Sequence, residues 1–487
     1  MDVLDRRAFV GHAGRLFAAT SVAPWWRLPE LLEPADPRVR ALARELRGDV
    51  VGRGAAGYDA ARLVRNTRFD AIRPLAVAFC ESADDVARCV RWATRHGVRV
   101  AARSGGHSYG GYSTAASGLV VDVSRLRAVT LAADRRTATI GAGAQLGRIY
   151  ERLWNAGRVT IPAGSCATVG IAGLALGGGH GFTSRAFGLT CDSVRAVRIV
   201  TADGRVRGVS PTEDPELLWA CRGGGGGNFG IVTSFRFAVH PVGRVSTFAV
   251  EWPWSDAAQA LVAWQGWAPD APGGLFSVFN LSAAAGGSPS VRAIGQYLGP
   301  KTILEGLIRP LVDTGSPTGV STVDRDWLSS TRFWGGSDTR GTFAAASDYA
   351  FRPLSGAGIR ALLDGVAART RGPAGATSVL LDSYGGAIRR TPPGGSAFAH
   401  RRALFSFQEI ASWAPGGPAA ANLAWLRAFH AALRPHLSGF SYVNYIDPAQ
   451  RDWQRAYYGA GLRRLQAVKR RYDPRQVFRF AQSIRPR

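Results

Sequence analysis

The chain has 487 residues, more than a single hydrophobic core usually serves, so two substantial lobes are expected. Its 46% hydrophobic and 20% charged residues are ordinary globular proportions and exclude a largely disordered chain. A formal charge of +25 suggests a polyanion partner, but Lys301 and Lys469 are the only lysines and the arginines are scattered, with no basic helix or aromatic-basic module; incidental affinity for polyanions is expected, specific nucleic-acid recognition is not.

At the amino terminus, Asp5-Arg6-Arg7-Ala8-Phe9-Val10, a weakly apolar stretch to Val22 and Ser21-Val22-Ala23-Pro24 resemble a twin-arginine export signal over residues 1–27. Export to the periplasm or the medium is the expectation; the alternative is an amphipathic helix on a cytoplasmic protein. No later run reaches the ~18 apolar residues of a membrane span. A helix is predicted from Asp36 to Arg47, with Val39, Leu42, Ala43 and Leu46 on one face and Gly48 as its stop. Leu75–Phe79 reads as a strand, and Ser82 as the cap of a helix with Asp84 and Asp85 in its first turn and Val86, Val90 and Ala93 inward. Leu119–Val123, Thr137–Ile140 and Val194–Val200 are further strands, and Leu146–Trp154 a further helix.

These elements form a first lobe over 36–240. Beyond Pro241, Val245–Trp252, Phe276–Leu281 and Val291–Leu298 alternate as strands of an antiparallel sheet covered by helices on one face, a second lobe over 241–435. The class is α+β. Five cysteines, Cys80, Cys89, Cys166, Cys191 and Cys221, match neither a disulfide framework nor a zinc module, and no metal site is expected. Cys80 and Cys89 are read either as a pair formed in an oxidising compartment or as two buried thiols.

The chemistry gathers in two glycine-rich runs. Arg103-Ser104-Gly105-Gly106-His107-Ser108-Tyr109-Gly110-Gly111 follows the apolar run 98–102 and sets a histidine at the tip of an anion-accepting turn. Pro162-Ala163-Gly164-Ser165-Cys166-Ala167-Thr168-Val169-Gly170 leads into Gly173-Leu174-Ala175-Leu176-Gly177-Gly178-Gly179-His180-Gly181 and puts a cysteine before a second such loop. Small residues let main-chain N–H groups approach a pyrophosphate, and glycine takes the positive-φ angles that anion nests use. A phosphate-bearing cofactor is the reading.

With Val200-Thr201-Ala202-Asp203-Gly204, Asn228-Phe229-Gly230-Ile231-Val232-Thr233 and Tyr442-Val443-Asn444-Tyr445, these motifs resemble, in order, those of the berberine-bridge-enzyme-like flavoproteins. The resemblance runs from about Asp59 to the C-terminus. It implies the two-lobed FAD-binding fold of the vanillyl-alcohol-oxidase type, with residues 436–487 returning to the FAD-binding lobe. It also implies FAD bonded through its 8-methyl carbon to His107 and through ring carbon 6 to Cys166. Arg103, Ser104, Gly105, Gly106, Ser108, Gly111, Gly164, Val169, Gly170, Gly173, Gly179, Gly181, Ile231, Val232, Tyr442 and Asn444 are the further cofactor-binding positions. Val169 stands where, in the family, a valine leaves the flavin face open to dioxygen and a bulkier residue goes with dehydrogenases.

Tyr445 corresponds to the family's proton-abstracting tyrosine. A phenol has an ordinary pKa of about 10 and needs help to act as a base near neutrality. If the run is extended, residues 442 and 444 share one face and 443 and 445 the other, so the two tyrosines would do different jobs. Asp382 and Gln408 lie on strand-like segments that should face the pocket, the first to accept or orient the tyrosine proton and the second to hold a substrate hydroxyl. Tyr109 and Tyr384 are candidates for the same cavity, Glu409 should point away, and His180 and His400 are read as structural.

The reaction so implied oxidises an alcohol or hemiacetal of a carbohydrate or secondary metabolite by hydride transfer to flavin N5, dioxygen leaving as hydrogen peroxide. Partners are the small-molecule substrate and O2, with the protein a monomer or homodimer. Trp252, Trp254, Trp264, Trp267, Trp327 and Trp334 are offered for stacking on sugars or for core packing. A dehydrogenase with the same site, or a non-catalytic polyanion binder, are the alternatives. A nicotinamide-using reductase of the same fold holds FAD without bonds, which His107 and Cys166 argue against.

Overall fold

The computed structural model describes residues 36–336, 339–392 and 394–487; the twin-arginine segment lies outside them. Asp36 caps the helix Pro37–Glu45 by accepting the Arg38 N–H, and Val39 and Leu42 are buried. The helix Ala83–Arg95 starts at Ser82, whose hydroxyl accepts the Asp85 N–H, and buries Val86, Val90 and Ala93. It packs near a small sheet in which Ala76–Phe79, Leu119–Asp122 and Val100–Arg103 run parallel, with Val50–Gly52 antiparallel at the edge. A second sheet is antiparallel, in the order Val129–Leu131, Thr137–Gly141, Ile231–Ala238, Val194–Val200 and Val206–Val209. Cys80 and Cys89 are free, buried thiols with their sulfurs 3.9 Å apart.

The second lobe is built on a seven-stranded antiparallel sheet whose strands run, edge to edge, Gly319–Asp326, Arg244–Trp252, Ser290–Tyr297, Leu275–Ala284, Ala376–Ser383, Phe405–Trp413 and Thr342–Ala350. Register decides its two faces. Ala293, Phe279, Leu381 and Phe407 stand opposite one another and pack with Leu261, Trp264, Leu362 and Phe429 from the covering helices. One residue along, Asn280, Leu380 and Gln408 form a row on the other face, and Val278 and Asp382 the next row there. Side chains alternate faces along a strand, so the odd-numbered positions here build the core and the even-numbered ones are left to line a cavity.

Glu409 illustrates the alternation: it is fully buried on the helical face, with both carboxylate oxygens 3.1–3.2 Å from His430 Nδ1. Burial alone would lower the His430 pKa, but the charge of Glu409 and its hydrogen bond outweigh it and lift the imidazole to about 9. The folded-state value therefore lies above the unfolded one. The pair's contribution to stability should be complete below about pH 6.5 and lost as pH rises through 9. Urea midpoints taken across that window should fall in the wild type, and Glu409→Gln should flatten the profile.

The chain returns to the first lobe at its end. Val443, Ile446, Leu465, Val468, Phe478 and Ile484 join the same core as Ile149, Leu217 and Phe235. Lys469 is wholly buried, donating to the Asn228 and Phe478 carbonyls at 2.6 and 2.7 Å and to Asp473 Oδ2 at 2.6 Å. Lys469→Met leaves Asp473 as a buried charge without its partner, and should lower the unfolding free energy by about 3–5 kcal/mol in urea titrations. Of the six tryptophans offered for stacking on sugars, Trp252, Trp254, Trp264 and Trp267 belong to the core between sheet and helices, Trp327 packs edge-on to Tyr150, and Trp334 stacks on Phe182. Among them Trp252 also borders the cavity.

Candidate active site

Between the glycine-rich loops and the uncovered face of the seven-stranded sheet lies a cavity of about 1170 Å³. The two loops meet back to back: a Cβ on Gly105 would stand 2.4 Å from the Gly170 N, and one on Gly170 would stand 2.2 Å from Ser104 Oγ. Either substitution would push the loops apart. Gly106 and Gly111 sit at φ 71° and 73°, the left-handed region that favours glycine. Among the described residues no hydrogen bond uses the backbone N–H groups of residues 105 to 110, so this turn keeps its donors free along the cavity wall. That is the cradle of an anion nest, and it fits the pyrophosphate of FAD.

His107 and Cys166 converge on one hydroxyl. Thr168 Oγ1 lies 3.1 Å from His107 Nε2 and 3.6 Å from the Cys166 sulfur. Burial, and then the nearby Arg65 charge, push the His107 pKa down to about 4, so the imidazole is neutral and nucleophilic at physiological pH. The donor set and the cradle thus fit a flavin held at both ring positions.

Most of the predicted cofactor positions border this cavity: Ser104, Gly105, Gly106, Ser108, Gly111, Gly164, Val169, Gly170, Gly173, Gly181, Ile231, Val232, Tyr442 and Asn444. Arg103 borders it too, but its guanidinium faces the Asp122 carboxylate and the Ala61 carbonyl, both buried, so it clamps the base of the loop. Gly179 lies behind the wall: its N–H donates to Tyr442 Oη at 2.7 Å, and a Cβ there would stand 2.2 Å from Thr190 Oγ1. Asn444 turns its amide nitrogen to the Leu174 carbonyl and to Tyr442 Oη, bracing the second glycine loop from below.

The Tyr442–Tyr445 run departs from the extended reading. Val443–Tyr445 is a single turn of 3-10 helix, which brings residues three apart onto one side. Tyr442 and Tyr445 therefore pack edge to face at 4.9 Å. Their hydroxyls still differ: Tyr442 Oη accepts two N–H donors, whereas Tyr445 Oη lies 3.3 Å from His180 Nε2 at the cavity. Tyr109 stacks on Tyr445 at 5.4 Å, and Gln408 Nε2 donates to Tyr109 Oη at 2.6 Å. Asp382 completes this corner, its carboxyl accepting from Ser406 Oγ at 3.3 Å and its pKa raised by burial. Tyr109, Tyr445, Asp382 and Gln408 thus come together from four separate stretches of chain.

Tyr384 does not border the cavity; it is buried behind His180, its hydroxyl 3.4 Å from that of Tyr349. His400 is likewise buried, with Nε2 3.1 Å from the Tyr457 carbonyl oxygen. His180, read from the sequence as structural, instead lines the cavity against Tyr445. Thr168 also went unnoticed, although it lies inside the cysteine motif two residues after Cys166. The apolar walls Phe182, Phe276, Val278 and Phe343 carried no signal beyond strand-like or loop hydrophobicity.

Among the described residues no helix is long and apolar enough to cross a membrane, and no cluster of His, Cys, Asp and Glu has the makings of a metal site. Residues 74–210 match the family model described as an FAD binding domain, and residues 441–485 the model described as berberine and berberine like. The FAD-linked oxidoreductase YgaK of Bacillus subtilis is 36% identical over 91% of this chain and 98% of its own. The xylooligosaccharide oxidase of Thermothelomyces thermophilus is 30% identical over 85% of this chain and 87% of its own. The solved structure of Physcomitrella patens BBE-like 1 superimposes with a TM-score of 0.85 at 33% identity, covering 92% of this chain and 99% of that one. Similarity of this extent, spanning both lobes and the returning C-terminal segment, makes the chain a member of the berberine-bridge-enzyme-like family of FAD-linked oxidoreductases.

Proposed function

We propose that this protein is an oxidase that carries FAD bonded to both His107 and Cys166, oxidises a hydroxyl-bearing carbon of an alcohol or hemiacetal, and yields hydrogen peroxide. The observation that carries the reading is the meeting of His107 and Cys166 at Thr168 in the same cavity as Tyr445, Asp382 and Gln408. Bound FAD supplies the hydride acceptor and the electron route to dioxygen. His107 contributes a neutral imidazole as nucleophile, Cys166 its thiol, and Thr168 holds both side chains in register. The N–H groups of residues 105–110 hold the pyrophosphate.

At the other end of the cavity, Tyr445 takes the proton of the substrate hydroxyl as the carbon is oxidised. Gln408, fixed by its bond to Tyr109, presents its amide to the substrate, and Asp382 sets the local negative charge. The aromatic walls exclude water around the reacting carbon. Val169 at the cavity wall is the small β-branched residue that leaves room for dioxygen. The sheet floor offers hydroxyls and amides at Asn280, Ser282, Ser378 and Ser412, a surface suited to a polyhydroxylated substrate, and the fungal relative is named for xylooligosaccharides.

The purified protein should be screened for peroxide release from mono- and oligosaccharides and from glycosylated polycyclic alcohols. Peroxide in step with substrate loss supports the oxidase. Substrate-driven bleaching of the flavin that air does not reverse would make the protein a dehydrogenase, and a protein without flavin would overturn the reading.

A further inference from the structure

Tyr445 is poorly equipped to act alone. Its phenol is buried, and that burial, followed by Asp382, Tyr109 and Tyr442, raises its pKa well above the ordinary value of 10. Among the described residues His180 is the partner of its hydroxyl, with Nε2 3.3 Å from Oη. The imidazole is only 8% exposed and is wedged among the rings of Tyr384, Tyr442 and Tyr445 at 5.7, 5.2 and 5.9 Å. Among the described residues its buried Nδ1 has no partner. A ring kept for packing would leave that nitrogen at a cost that an apolar ring avoids. Gly178 and Gly179, at φ 120° and 79°, turn the loop that carries it, and the Gly179 N–H is anchored on Tyr442, so the ring is held from both ends of the Tyr442–Tyr445 turn.

We propose that His180 is a relay and positioning residue: with its own proton on Nδ1, its Nε2 accepts the Tyr445 hydroxyl proton as Tyr445 takes the proton of the substrate hydroxyl. The proposal rests on the reading of Tyr445 as the group that meets the substrate proton. The substrate O–H and the Tyr445 O–H break, an O–H forms on Tyr445 and an N–H on His180, and the carbon-bound hydride goes to bound FAD as the oxidant. The hydride and the imidazolium proton together supply the two electrons and two protons with which dioxygen leaves as hydrogen peroxide.

The titratable groups facing the imidazole are the phenols of Tyr445, Tyr442 and Tyr384 and the carboxyl of Asp382. Burial lowers the His180 pKa, which keeps the resting ring neutral and ready to accept, while the Asp382 charge favours the imidazolium once it forms. A free phenol would have to ionise by itself; the relay removes that step.

The first test needs no substrate. The chain holds eight histidines, so 15N-histidine spectra of the flavin-loaded protein, with His180 assigned by its loss in His180→Asn, report its tautomer. The relay requires a neutral ring protonated on Nδ1, with an Nε2 signal that shifts in Tyr445→Phe; a ring protonated on Nε2 overturns it. The second test follows anaerobic flavin bleaching by whichever sugar or alcohol releases peroxide. His180→Asn, still flavinylated, should be roughly 100-fold slower and should speed up as pH rises, and added imidazole should rescue His180→Ala. Wild-type rate and pH profile in His180→Asn would overturn the relay alone. An unimpaired Tyr445→Phe would instead overturn the reading beneath it.

Discussion

Replacing Tyr445 by phenylalanine should slow anaerobic flavin bleaching by roughly 10²–10⁴-fold, the usual range for loss of a positioned proton acceptor. The acid-stable yellow colour and the thermal midpoint should stay close to wild type. The variant keeps the ring that stacks on Tyr109 and packs against Tyr442, and removes only the hydroxyl beside His180. Tyr442 is no substitute, because its oxygen is occupied by the Gly179 and Asn444 N–H donors. Tyr442→Phe should therefore act differently: it leaves two donors short of an acceptor, costing about 1–3 kcal/mol of stability each where they stay buried, and disturbs the glycine loop. Stopped-flow bleaching and thermal unfolding of the two variants, side by side, separate the chemical hydroxyl from the structural one. A Tyr445→Phe enzyme bleached at the wild-type rate would remove Tyr445 from the mechanism.

The second large effect concerns attachment of the cofactor. Each single variant, His107→Ala or Cys166→Ala, should still give a yellow pellet on acid precipitation and an intact mass raised by one FAD, because the other side chain retains its bond. The double variant should release all of its colour to the supernatant. Electron-withdrawing ring substituents raise the reduction potential of a flavin, so each lost bond should also slow bleaching by substrate. His107 is neutral down to about pH 4, and its attachment in apoprotein reloaded with FAD should be insensitive to pH near neutrality and fail as pH falls through 4. A colourless pellet from the wild-type protein would show that neither bond forms.

Much of the cofactor side was legible along the chain because its determinants are local. Gly105, Gly106 and Gly111 mark an anion-accepting turn through their missing Cβ atoms, and His107 and Cys166 sit within motifs whose order is itself distinctive. Val194–Val200 formed over the residues predicted, and Ser82 capped its helix as expected, since hydrophobic alternation and capping depend on near neighbours. Asp382 and Gln408 were expected on strand-like segments facing the pocket, and strand alternation turned Glu409 to the opposite face, where it meets His430.

Where the reading went astray, the deciding contacts came from distant chain. Tyr442-Val443-Asn444-Tyr445 has the β-branched and aromatic content of a strand, yet it forms a 3-10 turn because Asn444 and the Tyr442 hydroxyl are drawn into the glycine loop around 174–179. Tyr384 lies one residue beyond the Ala376–Ser383 strand and turns behind His180, away from the cavity. Arg103 opens a cofactor motif and yet is held by Asp122, a partner that becomes its neighbour only when the two parallel strands pair.

The sequence by itself determined the α+β architecture and a phosphate-bearing cofactor site, because glycine placement and alternation are properties of short stretches, and its ordered motifs gave the likeness from which FAD and the proposed attachment at His107 and Cys166 follow. Tertiary structure alone decided the working corner. Residues 109, 180, 382, 408 and 445 are strangers in the sequence, and their hydroxyl, imidazole, carboxyl and amide groups acquire partners and shifted acidities only when folding removes water and brings five separate segments together.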